Sequence, residues 1–288
     1  MENKESVSVK AVIFDLDGTL IDSKEDLADA TNRTLAEEGF PVWPVSQYGL
    51  FLGRGLRNLV WNALPEDRRD DATVERCRDK ILADYGRNYL VKTTMYPGVA
   101  DLLDALAARH VRLCVLSNKP DSVTKKIIAE LFAPWKFDCV LGAGVSVPES
   151  WHPSFAGGPE ASGMAHASGS EASPSGSVSG GGSGLLASAE AALSKSLASS
   201  ERPAGGFRFL AMKPEPEAVF YICEQLGLKP AEVVYIGDSD VDMLTAANAG
   251  LRSIGVSWGF RGREELQASG AWRIADRAME IAGILGLE

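Results

Sequence analysis

The chain has 288 residues, 45% of them hydrophobic, which is enough for one sizeable core with a smaller module beside it. A formal net charge of −10 and a pI near 5.0 argue against nucleic acid or an anionic membrane as the main partner, so an anionic ligand would need local positive charge. Cys77, Cys114, Cys139 and Cys223 show no paired metal spacing, and residues 1–10 lack the apolar core of a signal peptide; buried free thiols in a cytoplasmic protein are expected.

In chain order, the apolar run Val9, Ala11, Val12, Ile13, Phe14 ends abruptly in Asp15-Leu16-Asp17-Gly18-Thr19-Leu20. Such a β-branched run predicts a strand covered on both faces, delivering two carboxylates at its end. Residues two apart on an extended strand point the same way, and two carboxylates so placed need a cation, or a proton on one member. Ser23, with Glu25 and Asp26 after it, predicts a capped helix ending at Gly39. The pattern stays helical to about residue 92, with Leu56, Leu59, Val60, Ala63, Val74, Cys77, Ile81, Leu82, Tyr85 and Tyr89 at helical steps. A helix over 97–109, a strand over 111–116, a helix over 121–132 and a strand over 137–141 follow. Helix then strand, twice over, is the pattern of a doubly wound α/β sheet.

Composition then shifts. Of the 24 residues from 161 to 184, 15 are Ser or Gly, too few apolar groups to offset the entropy of ordering, so the insert over 145–206 is expected to be mostly disordered. Within it Leu185, Ala189, Leu193 and Leu197 recur every four residues, the pattern of a weak amphipathic helix. Beyond the insert, a helix over 214–226 closed by Gly227, a strand over 232–236, a helix over 243–249, a strand over 253–256 and a final helix over 278–285 are predicted.

The chemistry-bearing residues fall at strand ends, where open α/β sheets bind ligands. Asp15 and Asp17 end the first strand, Ser117 and Asn118 end the strand over 111–116, and Asp238 ends the strand over 232–236. Three carboxylates converging from separate strands imply a hard divalent cation, most simply Mg²⁺.

Asp-x-Asp-Gly-Thr-Leu after an apolar strand resembles the first motif of the haloacid dehalogenase superfamily of phosphotransferases, and three later motifs follow in order. Ser117-Asn118-Lys119-Pro120 is a common turn by itself, but in this register it resembles the second motif. Lys213-Pro214, then a helix and a strand, resembles the third, and Gly237-Asp238-Ser239-Asp240-Val241-Asp242 the fourth. The resemblance implies that Asp15 attacks phosphorus and that Asp17 protonates the leaving group and later activates water. It implies phosphate contacts from Thr19, Ser117 and Asn118, and a lysine, Lys213, that neutralises the attacking carboxylate. It further implies Mg²⁺ held by Asp15, the Asp17 backbone carbonyl and Asp238, with Asp242 orienting the metal's waters and Lys213.

The helical stretch matches in place and size the small cap of many superfamily members. Among capped members the similarity is greatest to phosphoglycolate phosphatases, through Leu20-Ile21-Asp22-Ser23 and Gly53-Arg54-Gly55-Leu56, with Arg54 the expected substrate-selecting cation. The organisation expected is a core over 1–21, 93–144 and 207–288, a helical cap over 22–92 and the insert over 145–206, a departure from the family pattern that is open to contact with a protein partner. The expected function is Mg²⁺-dependent hydrolysis of a small phosphorylated metabolite, 2-phosphoglycolate being favoured by the resemblance. The alternatives are a β-phosphoglucomutase-like mutase, a pyrophosphate or nucleotide phosphatase, and a non-enzymatic regulatory protein on the same scaffold.

Overall fold

The computed structural model describes residues 9–155 and 206–287. The first apolar run forms β1 (Ala11–Phe14), every side chain of it buried. A short strand β2 (Ile21–Asp22) leads into α1 (Lys24–Glu37), α2 (Tyr48–Phe51), α3 (Leu56–Ala63) and α4 (Asp71–Asn88). Strand β3 (Thr94–Met95) then pairs antiparallel with β2, so the chain enters and leaves the helical stretch through one two-stranded neck. The Asp26 carboxylate fixes that exit by accepting from the backbone N–H groups of Lys92 and Thr93 and from Thr93 Oγ1.

Next come α5 (Val99–Ala108), β4 (Arg112–Pro120), α6 (Asp121–Leu131), β5 (Phe137–Ala143) and β6 (Ser146–Pro148). After residue 206 the order is β7 (Phe207–Phe209), α7 (Glu217–Leu226), β8 (Val233–Gly237), α8 (Asp240–Asn248), β9 (Arg252–Val256), α9 (Arg263–Ala268), β10 (Arg273–Ala275) and α10 (Glu280–Ile284).

Six strands make one parallel sheet in the order β10-β9-β8-β1-β4-β5. Alternation along the central strands sends side chains to two separate cores. Val12, Phe14, Leu113, Val115, Val234 and Ile236 pack with residues of α5, α6 and α10 on one face. Ala11, Ile13, Cys114, Leu116, Val233 and Tyr235 pack with residues of α7 and α8 on the other. Both faces are covered, which is why these strands read as unbroken apolar runs; each fully buried Val, Ile or Phe contributes about 1.5–3 kcal/mol. The fold is the doubly wound α/β sheet that the sequence predicts. From β1 the chain steps outward to β4 and β5, then returns to β8 on the other side, so the reversal of strand order falls beside β1. Crevices at such reversals are where open α/β sheets bind ligands.

Several boundaries differ from expectation. Helix α7 begins at Glu217 rather than 214, and β4 runs on through Pro120 because Ser117, Asn118 and Lys119 are themselves buried. Ser23 occupies the N-cap of α1 but makes no side-chain cap; its hydroxyl is drawn away to Asp17. The first residues of the expected insert are structured: β6 pairs antiparallel with β7, which lies just beyond the insert, and Trp151 and Phe155 pack edge-on and tilted against Tyr221 and Phe220 of α7. Strand β10, at the sheet edge, was not predicted. The helix expected around Leu185 to Leu197 lies outside the described residues. Cys77, Cys114 and Cys223 are buried and Cys139 is half-buried, all as free thiols.

Candidate active site

β1 ends with Phe14 paired to Val115 of β4 and Ile236 of β8, and its ladder continues one residue further through the Asp15 N–H, which donates to Ile236 O at 2.8 Å. Asp15 is thereby fixed by backbone as well as by side chain. Lys213 Nζ lies 2.8 Å from Asp15 Oδ1 and 2.7 Å from Asp242 Oδ1. Asp242 is held in turn through Oδ2, which accepts from Ser239 N–H and Oγ at the start of α8. Asp238 Oδ2 accepts from the Phe260 N–H at 2.6 Å. Gly18 passes directly beneath: a Cβ there would stand 2.2 Å from Asp238 Oδ2, and its φ of +87° is the left-handed region that glycine tolerates.

Oxygens of Asp15, Asp238 and Asp242 all lie within 4.8 Å of one another, in full burial. Burial pushes the Asp15 carboxyl up to about 7, Lys213 pulling it down while Asp242 and Asp17 add to the rise. Burial, then the charges of Asp242 and Asp15, hold Asp238 well above the carboxylate range. Burial also opposes the charge on Lys213, but Asp15, Asp242 and Tyr235 outweigh it and keep the ammonium well above the lysine range. Three carboxylates therefore share one ammonium, a set that a cation, or protons on its members, must stabilise. An all-oxygen donor set of this charge fits a hard divalent ion such as Mg²⁺.

Asp17, two residues from Asp15, faces a different set of partners. Its Oδ1 receives Ser23 Oγ and lies 2.9 Å from Lys119 Nζ. Each of the two carboxylates read from the first motif thus has its own lysine.

The remaining predicted residues are placed as follows. Thr19 is buried, with its Oγ1 lacking any partner among the described residues, an orphaned hydroxyl beside the cluster. Ser117 Oγ accepts from the Lys119 N–H at 3.2 Å and lines the pocket. The Asn118 amide is occupied as a brace: Oδ1 accepts from Lys213 N–H, and Nδ2 donates to Lys213 O and to Gly53 O. Arg54 pairs with Asp240, its side chain half-exposed, and lines an outer groove rather than the inner pocket. Among the described residues, the cation lining the inner pocket is Lys119, which the motif reading passed over as a turn residue.

That pocket, about 540 Å³ including its open mouth, has Asp15, Asp17 and Ser117 at its base. Leu56, Leu82 and Tyr85 of the helical stretch form its upper wall. Apolar walls over a few convergent polar groups are the usual make-up of a small-molecule site.

A parallel sheet with a helical module after its first strand, and a carboxylate–lysine cluster at the strand-order reversal, defines a doubly wound α/β enzyme with an acidic active site. The haloacid dehalogenase-like hydrolase family model matches residues 9–168, more than half of the chain, and a HAD-hydrolase-like model matches residues 210–280. The chain belongs to the haloacid dehalogenase-like hydrolase family. Similar proteins include the phosphoglycolate phosphatase of Rhodospirillum rubrum, 27% identical over 96% of this chain and 91% of that one. The phosphoglycolate phosphatase of Psychrobacter arcticus is 27% identical over 89% and 86%. Among solved structures, one from Lactobacillus delbrueckii subsp. bulgaricus superposes with a TM-score of 0.69 at 25% identity, covering 96% of this chain and 98% of that one.

Proposed function

We propose that the chain is a Mg²⁺-dependent phosphomonoesterase for a small phosphorylated metabolite, with 2-phosphoglycolate the first substrate to test. The observation that carries this reading is the geometry of Asp15: a backbone-anchored carboxylate at the pocket base, 2.8 Å from a buried lysine and beside a second, separately held carboxylate. The substrate suggestion rests on the names of the two similar phosphatases.

A phosphoryl transfer needs a positioned nucleophile, an acid for the leaving oxygen, and positive charge on the equatorial oxygens. Asp15 is the nucleophile: its carboxylate oxygen bonds to phosphorus as the ester P–O bond breaks, leaving an aspartyl-phosphate. Lys213, touching both Asp15 and Asp242, keeps the nucleophile oriented and offsets charge building on the phosphoryl group. Asp17 gives its proton to the departing oxygen and, in the second half, takes one from the water that hydrolyses the acyl phosphate. Ser117 Oγ lines the pocket as a donor for phosphoryl oxygens, and the buried, unpartnered Thr19 hydroxyl is a second candidate donor. Asp15, Asp238 and the Asp17 carbonyl would hold Mg²⁺, with Asp242 bracing Lys213, and the ion would supply Lewis-acid charge stabilisation. Leu52, Leu56, Leu59 and Leu82 give the pocket an apolar wall beside the reacting centre.

The experiment is phosphate release with Mg²⁺ from a panel of small esters that includes 2-phosphoglycolate, with EDTA and Asp15→Asn controls. Metal-dependent release that Asp15→Asn abolishes is expected. Release that persists in Asp15→Asn would assign the nucleophile elsewhere.

A further inference from the structure

We propose that Lys119 is a positioning residue for Asp17, and that Tyr85 anchors it, so that the acid of the proposed hydrolysis is aligned by a pair reaching from β4 to α4. The inference rests on the reading of Asp17 as proton donor. Lys119 is one of the two lysines buried among the described residues, the other being Lys213. Lysines are almost never fully buried unless paired. Lys119 Nζ lies 2.9 Å from Asp17 Oδ1, donates to the Tyr85 hydroxyl at 2.9 Å, and stands 4.6 Å from the centre of the Tyr85 ring. Tyr85 is itself buried, on α4. Burial opposes the Lys119 charge, yet Asp17 and Tyr85 outweigh it and keep the ammonium above the lysine range.

The hydrogen bonds to Asp17 have a direction. Ser23 Oγ and Lys119 Nζ both meet Oδ1, while Oδ2 receives no hydrogen bond among the described residues. The Asp17 side chain is 16% exposed and lines the pocket. With one oxygen held from two sides, the carboxyl plane is fixed and Oδ2 is left to exchange the proton. The proton moves from Oδ2 to the leaving oxygen as that oxygen takes the electron pair of the breaking P–O bond, and Asp17 is left as a carboxylate. Misplacement of such a group by even 1 Å costs on the order of a hundredfold in rate.

A lysine that merely neutralised buried charge would affect all esters alike, whereas one that aligns the acid matters only where the leaving oxygen needs a proton. The test compares kcat on 2-phosphoglycolate, whose alkoxide needs one, with kcat on p-nitrophenyl phosphate, whose phenolate departs without one, both with Mg²⁺. Lys119→Met is expected to lose about 100-fold on the alkyl ester and less than about fivefold on the aryl ester, with Asp17→Asn setting the limiting ratio. Tyr85→Phe keeps the buried ring, so it reports even if Lys119→Met does not fold; a loss of about tenfold confined to the alkyl ester is expected. Equal losses on the two esters in a folded variant, or no loss, would overturn the proposal while leaving the phosphatase reading intact. A wild-type protein inert on both esters would remove that reading and the proposal with it.

Discussion

Asp15 and Asp17 are two residues apart on one chain segment, yet they occupy opposite kinds of environment. Asp15 belongs to a dry cluster assembled from the ends of β1 and β8 and braced by Lys213, all within the parallel sheet's own frame. Asp17 sits at the pocket wall, held by a hydroxyl at the mouth of α1 and by a lysine whose second partner is in α4. The first setting is a buried set of carboxyl oxygens gathered around one ammonium. The second leaves a carboxylate partly exposed to the pocket. Two carboxylates of the same type can take different roles when their surroundings differ this much.

Removing the inner lysine breaks the comparison most severely. Lys213→Met strands Asp15 and Asp242, and a loss of about 3–5 kcal/mol of stability is expected in urea titration. The same variant is expected to lose about a hundred- to a thousandfold in kcat. Lys119→Met should cost distinctly less stability in the same titration, because Asp17 keeps Ser23 and some solvent; equal losses would erase the distinction between the two settings.

Metal binding sharpens it. With Mg²⁺ at about one hundred times its dissociation constant, thermal unfolding of the wild type should register about 2.7 kcal/mol of stabilisation. Asp238→Asn is expected to abolish that gain, and Asp17→Asn, whose backbone carbonyl is untouched, to retain it. The outer groove gives a smaller effect: Arg54 pairs with Asp240 half-exposed to solvent, so Arg54→Ala should change kcat/KM by less than about fivefold. A larger fall would restore the substrate-selecting role read from the sequence.

The smallest effect concerns the thiols. Burial pushes Cys223 up to about 12 and Cys139 up to about 11, and holds Cys114 higher still. At pH 8 these groups remain protonated, and the thiolate is the reactive form. Intact-mass analysis should therefore show little alkylation by iodoacetamide in the folded protein and modification of all four cysteines after denaturation.

The sheet was legible because period and composition agree: short unbroken apolar runs at β1, in the first half of β4 and at β8 fit strands covered on both faces. Site residues were legible where a motif names them, as with Asp15, Lys213, Asp238 and Asp242, which the fold brings together. β10 and the β6–β7 pair were not legible, being three residues long each, too short for alternation to register. Lys119 and Tyr85 were hidden for another reason. The lysine looks like part of a turn, and the tyrosine like one more apolar position on a helix. Only the packing of α4 against the end of β4 reveals their contact, although a lysine continuing an apolar strand run was a signal available in the sequence. Asn118 illustrates the reverse: the motif points to phosphate, while its amide is taken up by the Lys213 backbone and Gly53.

The most direct test of the account is to trap the covalent intermediate. Asp17→Asn protein, mixed with Mg²⁺ and p-nitrophenyl phosphate and quenched in acid, should yield a peptide containing Asp15 that carries one phosphoryl group, and Asp15→Asn protein should yield none. Turnover of the ester with no phosphoryl group on Asp15, or with the group on another residue, would contradict the central claim that Asp15 is the nucleophile.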